Sequence, residues 1–234
     1  MLPVAILAGG LATRLRPITE KIPKSLVDVN GKPFIFHQLG YLKQQGITRV
    51  VLCLGYMGAQ VEEVIGDGSL FGLDVCYSYD GPRLLGTGGA LKQALPLLGE
   101  SFFVFYGDSY LPIDFQVVER NFLSGEKPAL ITVLKNADRW DKSNVQYRDG
   151  CIVEYNKRTP SSEMKHIDYG LGVLSASVMD NSPDDGFFDL ADIYHFLSVL
   201  GLLAGYEVYE RFYEIGSYSG LQETINYLKE IHRH

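Results

Sequence analysis

Four short apolar runs in the first 108 positions, separated by segments of helical period, limit the chain to few architectures. They are Pro3 to Leu7 (PVAIL), Arg49 to Gly55 (RVVLCLG), Asp74 to Tyr79 (DVCYSY) and Phe102 to Asp108 (FFVFYGD). Runs this uniformly apolar cannot have one wet face, so each reads as a strand buried on both sides. That is the signature of parallel strands covered by helices. Helices are expected between them: from Pro33 to Gly46, from Ala59 to Gly66, and from about Gly89 to Leu98. The first half therefore reads as α/β of the doubly wound, Rossmann-like kind.

The second half changes character. Ala129 to Lys135 is a further strand, while Asn144 to Tyr155 alternates and turns at Asp149-Gly150, a hairpin signal. Ile167 to Ala176 is another strand, followed by expected helices from Asp189 to Ala204 and from Ser219 to Ile231. No repeat or linker interrupts the 234 residues. The economical reading is one domain, 1–234, on a mixed, mainly parallel sheet. Its halves are 1–113 and 114–234, the second with antiparallel pairing.

A formal charge of -7 argues against a general nucleic-acid binder. An acidic chain that binds a polyanion must gather positive charge locally or borrow it from a metal ion. The three cysteines are widely spaced and no Cys-x-x-Cys occurs, which fits a reducing, cytoplasmic setting without a zinc site or disulfide framework. The five histidines show no metal-ligand spacing. The N-terminal apolar stretch lacks a basic flank and is too short to span a bilayer, so no membrane association is expected.

In open α/β sheets, ligands bind beyond the carboxyl ends of the strands. Three such loops here carry unusual chemistry. After the first strand come Gly9 and Gly10, with Arg14, Arg16, Lys21 and Lys24 close behind. This is either a solvated loop or a phosphate cradle, where glycine lets backbone N–H groups approach a ligand. Leu84 to Leu91 (LLGTGGAL) leads into a helix whose N-terminus favours an anion or a base edge. Asp108 ends an apolar strand, as a Mg²⁺ ligand does, or as a turn residue does. The P-loop pattern is absent, since Pro33 follows Gly31-Lys32, and Gly170 to Ser175 lacks the third glycine of a dinucleotide fingerprint.

The order Leu7 to Pro17, Pro23 to Leu26, Leu85 to Leu91, Tyr106 to Ser109 and Phe212 to Ser217 resembles sugar-1-phosphate nucleotidylyltransferases along nearly the whole chain. That resemblance implies the nucleotide-diphospho-sugar transferase fold, with a nucleotide-binding half at 1–113 and a sugar-phosphate-binding half at 114–234. The implied reaction is NTP plus sugar-1-phosphate giving NDP-sugar and pyrophosphate, with Mg²⁺ as cofactor, in the service of cell-surface glycan synthesis. Leu7, Ala8, Gly9, Gly10, Thr13, Thr87 and Gly88 would hold the nucleotide. Arg14 would grip its outer phosphates and Lys24 would neutralise the reacting ones. Asp108 and Glu214 would hold the metal. Asn144, Asn156, Lys157, Asp168, Tyr169 and Gly170 would face the sugar phosphate. Lys157 would reach the phosphate, and a homodimer is the default assembly.

The chain is most similar in this respect to heptose-1-phosphate guanylyltransferases and N-acetylmuramate-1-phosphate uridylyltransferases, having no C-terminal hexapeptide repeat. GTP with a heptose- or mannose-type phosphate is the first expectation. The alternatives are UTP or CTP with another sugar phosphate or phosphocholine, and a non-catalytic nucleotide-sugar sensor. Departures from the pattern are Ala12 where glycine is usual, Glu214 where aspartate is usual, Asn156 where glutamate is usual, and Ser143 to Gln146 in place of a glycine-containing stretch. Arg211 is a rival partner for Glu214.

Overall fold

Residue by residue, the apolar runs owe their strand form to a two-sided core. The computed structural model describes residues 1–136, 138–148, 150–180, 182–183 and 186–231. The first half runs β1 (Val4–Leu7), β2 (Asp28–Val29), β3 (Lys32–Pro33), α1 (Phe34–Gln44), β4 (Arg49–Leu54) and α2 (Gly58–Ile65). It continues through β5 (Asp74–Tyr79), α3 (Gly86–Leu98), β6 (Ser101–Tyr106) and β7 (Ser109–Tyr110). Then come α4 (Phe115–Ser124), β8 (Ala129–Lys135), β9 (Val145–Arg148), β10 (Cys151–Tyr155), β11 (His166–Ser175), α5 (Leu190–Val199), β12 (Leu203–Val208), β13 (Tyr213–Glu214) and α6 (Tyr218–Ile231).

Successive strand residues point to opposite faces, and the two faces bury different helices. Val4 and Ile6 join Leu39 of α1, Val61 of α2 and Phe115 of α4 on one side. Ala5 and Leu7 join Leu91 and Ala94 of α3 and Tyr194 of α5 on the other. Phe103 and Phe105 against Phe102 and Val104 repeat the split in β6. A smaller cluster around Phe34, Ile215 and Leu228 seats α6. No helix among the described residues is long and apolar enough to cross a membrane.

Among the described residues the main sheet has nine strands, in the order β5-β4-β1-β6-β11-β8-β12-β10-β9. β1 lies parallel to both β4 and β6, and β4 parallel to β5. The chain winds outward from β1 to β5, then α3 carries it back across to β6. The strand order therefore reverses at the carboxyl ends of β1 and β6, where such sheets open a crevice. β11 is antiparallel to β6 and to β8, and β9 pairs antiparallel with β10, the hairpin expected over Asn144 to Tyr155. Gly150 there has φ 81, while Asp149 lies outside the described residues.

One expectation needs correction. The helix anticipated to reach Ala204 ends at Val199, and Leu203–Val208 is a strand parallel to β8. Gly201 stops the helix in the left-handed region at φ 70. The amide of Leu202 then returns to Leu197 O at 2.8 Å and that of Gly201 to Ser198 O at 3.0 Å, a glycine-terminated helix end. α4 has no counterpart among the expected elements. Asp114 caps it, its Oδ1 accepting from the amides of Gln116 and Val117 at 2.8 and 3.2 Å.

Candidate active site

The crevice at the reversal is lined by the turns after β1 and β6. They are tied to the neighbouring strands: the amide of Gly107 donates to Leu7 O at 3.0 Å and that of Ala8 to Cys53 O of β4 at 2.9 Å. Two glycines permit this closeness. A Cβ on Gly107 would lie 2.8 Å from Ala8 Cβ, and one on Gly9 would lie 2.9 Å from the Gly55 nitrogen. Gly10 has nothing within 4 Å of its missing Cβ, so its backbone faces open space.

A cavity of 330 Å³ opens here. Of the residues expected to hold a nucleotide, Leu7, Ala8, Gly9, Gly10 and Thr87 line it, together with Lys24 and Asp108. Thr13 and Gly88 do not. The Gly88 amide donates to Phe188 O at 3.0 Å, so the second half of the chain occupies part of the helix N-terminus anticipated for a ligand. Thr87 Oγ1 donates to Asp189 Oδ1 at 2.5 Å and accepts from the Leu190 amide at 2.9 Å.

A second cavity, of 670 Å³, lies on the other side of Asp108. Arg14, Asn144, Lys157, Asp168, Tyr169, Gly170 and Glu214 all line it, whereas Asn156 does not. Asn156 Oδ1 instead accepts from the Thr159 amide at 2.9 Å and closes a turn. Asn144 Oδ1 accepts from the Asp168 amide at 2.9 Å. Asp168 in turn accepts from the Gly170 amide at 3.0 Å and from the Tyr155 hydroxyl at 3.3 Å. Burial raises the Asp168 carboxyl above its ordinary range, with the Gly170 N–H and Lys157 pulling the other way. Asp108 and Tyr106 belong to both cavities. Burial, with Asp168, Asp189 and Asp108 around it, keeps the Tyr106 phenol protonated.

Asp108 and its loop are held from several sides. Lys24 Nζ donates to its Oδ2 at 2.8 Å, in a pair whose side chains are about one-fifth exposed. Gln38 of α1 is buried and grips both ends of its loop, donating to Tyr106 O at 3.0 Å and to Ser109 O at 2.7 Å. The Ile215 amide donates to Asp108 O at 2.8 Å. The β7–β13 ladder pairs Glu214 with Ser109, which brings Glu214 within electrostatic reach of Asp108 although 106 positions separate them in sequence.

Burial raises the Glu214 carboxyl, and Asp108 raises it further; Arg14 and Lys24 partly offset both. Arg14 Nη2 and the Glu214 oxygens converge on Gly216, at 3.1 and 3.3 Å from where its Cβ would stand. Arg211 does not take Glu214; it pairs with Glu223 at 2.6 Å. Two mutually repelling carboxylates form a hard oxygen donor set, which suits Mg²⁺. Among the described residues no group of three His, Cys, Asp or Glu converges on one point. The remaining ligands of such an ion would therefore come from water or phosphate.

The lining residues that were not among those expected include Asp80, Phe187 and Asp189. Asp80, buried at the smaller cavity, accepts from the Leu85 amide at 3.1 Å. It follows an apolar strand as Asp108 does, so the same signal was available. Phe187 and Asp189 reach that cavity from the second half, and no local pattern marks them.

Residues 4–143 match the family of nucleotidyl transferases. Over 111 residues the chain is 46% identical to the N-acetylmuramate alpha-1-phosphate uridylyltransferase of Neisseria meningitidis serogroup B, covering 47% of this chain and 48% of that protein. Over 144 residues it is 35% identical to the D-glycero-alpha-D-manno-heptose 1-phosphate guanylyltransferase of Campylobacter jejuni, covering 62% and 63%. The matched stretch thus spans less than two thirds of either relative. The crystal structure of HddC from Yersinia pseudotuberculosis, complexed with GMP-PN, superposes with a TM-score of 0.81 at 25% identity, covering 97% of this chain and all of that one. The chain has the fold of nucleotide-diphospho-sugar transferases.

Proposed function

We propose a reaction for this chain, which belongs to the nucleotidyl transferase family: transfer of a nucleotidyl group from an NTP to a sugar-1-phosphate. A phosphate oxygen of the sugar-1-phosphate attacks the α-phosphorus, and the bond from that phosphorus to the bridging oxygen of the β-phosphate breaks. NDP-sugar forms and pyrophosphate leaves. The attacking oxygen is already ionised, so the step needs no general base. Its main obstacle is repulsion between two anions, and positioning with charge neutralisation is the remedy.

The observation that carries this reading is the meeting of the two cavities at Asp108. The smaller one takes the nucleotide and the larger one the sugar phosphate, so that the α-phosphorus and the attacking oxygen come together at their junction. Lys24 sits at that junction on the nucleotide side, Arg14 on the Glu214 side, and Lys157 in the acceptor cavity. Asp108 and Glu214 would hold Mg²⁺, which supplies positive charge to the reacting phosphates. UTP and GTP are the nucleotides implied by the relatives' names, and N-acetylmuramate and heptose phosphates the acceptors.

Phosphocholine is a weaker reading of the acceptor. A choline cation needs an open aromatic face, but Arg139 and Arg211 already stand 5.3 and 5.2 Å from the Trp140 ring centre. Arg211 also lies 4.7 Å from the Tyr213 ring. Pyrophosphate release, measured with each common NTP against a panel of sugar-1-phosphates and phosphocholine in Mg²⁺, tests the proposal. Turnover with a sugar-1-phosphate supports it. NTP binding without turnover on any acceptor would favour a sensor instead.

A further inference from the structure

The smaller cavity has a wall that the nucleotide-binding half does not supply. Residues 186–190 cross from the second half and lie against the glycine-rich start of α3. Phe188 O accepts from the amides of Gly88 and Gly89 at 3.0 and 3.4 Å, and the Phe188 amide donates to Leu85 O at 3.1 Å. Thr87 bonds both Asp189 and Leu190. This fastening holds Phe187 at the cavity, where its ring leaves only 3.2 Å between Cε2 and the missing Cβ of Gly86. Phe187 is nevertheless 71% exposed as a residue.

Those facts sit together uneasily unless something covers the ring. The segment spends several hydrogen bonds to hold in place an aromatic that buries little against the protein. The aromatic residues lining this cavity are Tyr106 and Phe187. Tyr106 is set among the carboxylates at the junction, whereas Phe187 is largely exposed. A nucleobase is the part of an NTP with a planar face to offer, and base–aromatic stacking tolerates any base. The segment also lies outside residues 4–143, the part that matches the family.

We propose that Phe187 is a base-stacking residue of the nucleotide site, supplied by the second half of the chain. The inference rests on the reading of the smaller cavity as the nucleotide site. It assigns Phe187 to nucleotide affinity and leaves the reacting phosphates to Lys24, Arg14 and Asp108. Removal of the ring should weaken binding of the triphosphate and leave the saturated rate unchanged.

The test is calorimetric titration of wild type, Phe187→Ala and Phe187→Trp with UTP, GTP, CTP and dTTP, each with Mg²⁺ and no acceptor. Steady-state kinetics follow with the acceptor that turns over. For the nucleotide that wild type binds, Phe187→Ala should bind roughly 5- to 100-fold more weakly. Its kcat at saturating nucleotide should stay within about twofold of wild type and its acceptor KM unchanged, with Phe187→Trp restoring the affinity. Equal affinity in wild type and Phe187→Ala overturns the stacking role. A fall in kcat at saturation overturns it as well, since it would assign the ring to the chemistry. If wild type binds none of the four nucleotides, the nucleotide site itself fails, and the stacking role with it.

Discussion

One wall of the smaller cavity is a set of glycines and short residues, Leu7 to Gly10, Gly86 and Gly107, while the larger is walled by long side chains such as Arg14, Trp140, Lys157 and Arg211. The contrast reflects two tasks. Main-chain walls offer N–H and C=O groups at positions set by the sheet, and they need glycine only where two chains touch, as at Gly9 against Gly55. Side-chain walls offer charge, which can be balanced within the wall itself, as in the Arg211–Glu223 pair at 2.6 Å. Asp108 stands where the two designs meet, so it tests their connection.

Asp108→Asn has the largest expected effect. It keeps the shape but removes the charge that Lys24 holds and that Glu214 feels. Turnover measured as pyrophosphate release should fall by about 10³-fold or more, with an unchanged far-UV CD spectrum. Near-normal turnover would sink the idea that both cavities serve one reacting centre.

Lys157→Ala separates the cavities. Lys157 lines the larger one, and the charge it contributes is felt by Asp168. Loss of a charged contact to a sugar phosphate should raise the acceptor KM by roughly 10- to 100-fold, with nucleotide KM within about twofold of wild type. Equal rises in both would show that the two walls are not independent.

Asp168→Asn reads the same wall through pH. Burial raises this carboxyl above its ordinary value of 3.8, so the folded protein holds the proton more firmly than the unfolded chain. That contribution to stability is full below the ordinary value and is lost as pH rises through the folded value. Relative to Asp168→Asn, wild type should therefore gain stability on acidification from neutral pH, and should match or trail the variant at pH 7. Urea denaturation of both proteins between pH 4 and 8 measures this. A relative loss for wild type on acidification would mean that the fold favours the carboxylate instead.

The same contrast explains what could be read in advance. The four strands of the first half and the turns carrying Gly9, Lys24 and Asp108 were legible because each is a local pattern: an apolar run, then a glycine, a lysine or an aspartate. Glu214 was legible only as part of an ordered set of motifs, since its place near Asp108 depends on a two-residue ladder between distant segments. Gln38 and Phe187 were not legible. Gln38 looks like any helix residue until its amide is seen holding Tyr106 O and Ser109 O, and Phe187 depends on a crossing from the other half. Asn156 shows the opposite limit: a polar residue in an acceptor-like stretch whose side chain closes its own turn.

Ala12 lies in the loop that follows Gly9 and Gly10, and it offers the finest test of how rigidly that part of the wall is held. Where glycine would be usual, this alanine keeps the left-handed conformation, at φ 49 and ψ 41, and its carbonyl accepts from Thr19 Oγ1 at 2.8 Å. An L-residue with a Cβ pays about 1–2 kcal/mol for that region, so the loop geometry is imposed by its surroundings. Ala12→Gly removes the strain but gives the unfolded chain more freedom, worth about 0.4–1 kcal/mol in the other direction. The expected net gain is about 0.5 kcal/mol, a rise in Tm of roughly 1–2 °C for a chain of this size. Turnover should not change, because the backbone already holds the shape that glycine would allow. A lower Tm would mean that the methyl group makes contacts worth more than the strain. A change in kcat would mean that the loop moves during turnover, and that the main-chain wall is less rigid than its hydrogen bonds imply.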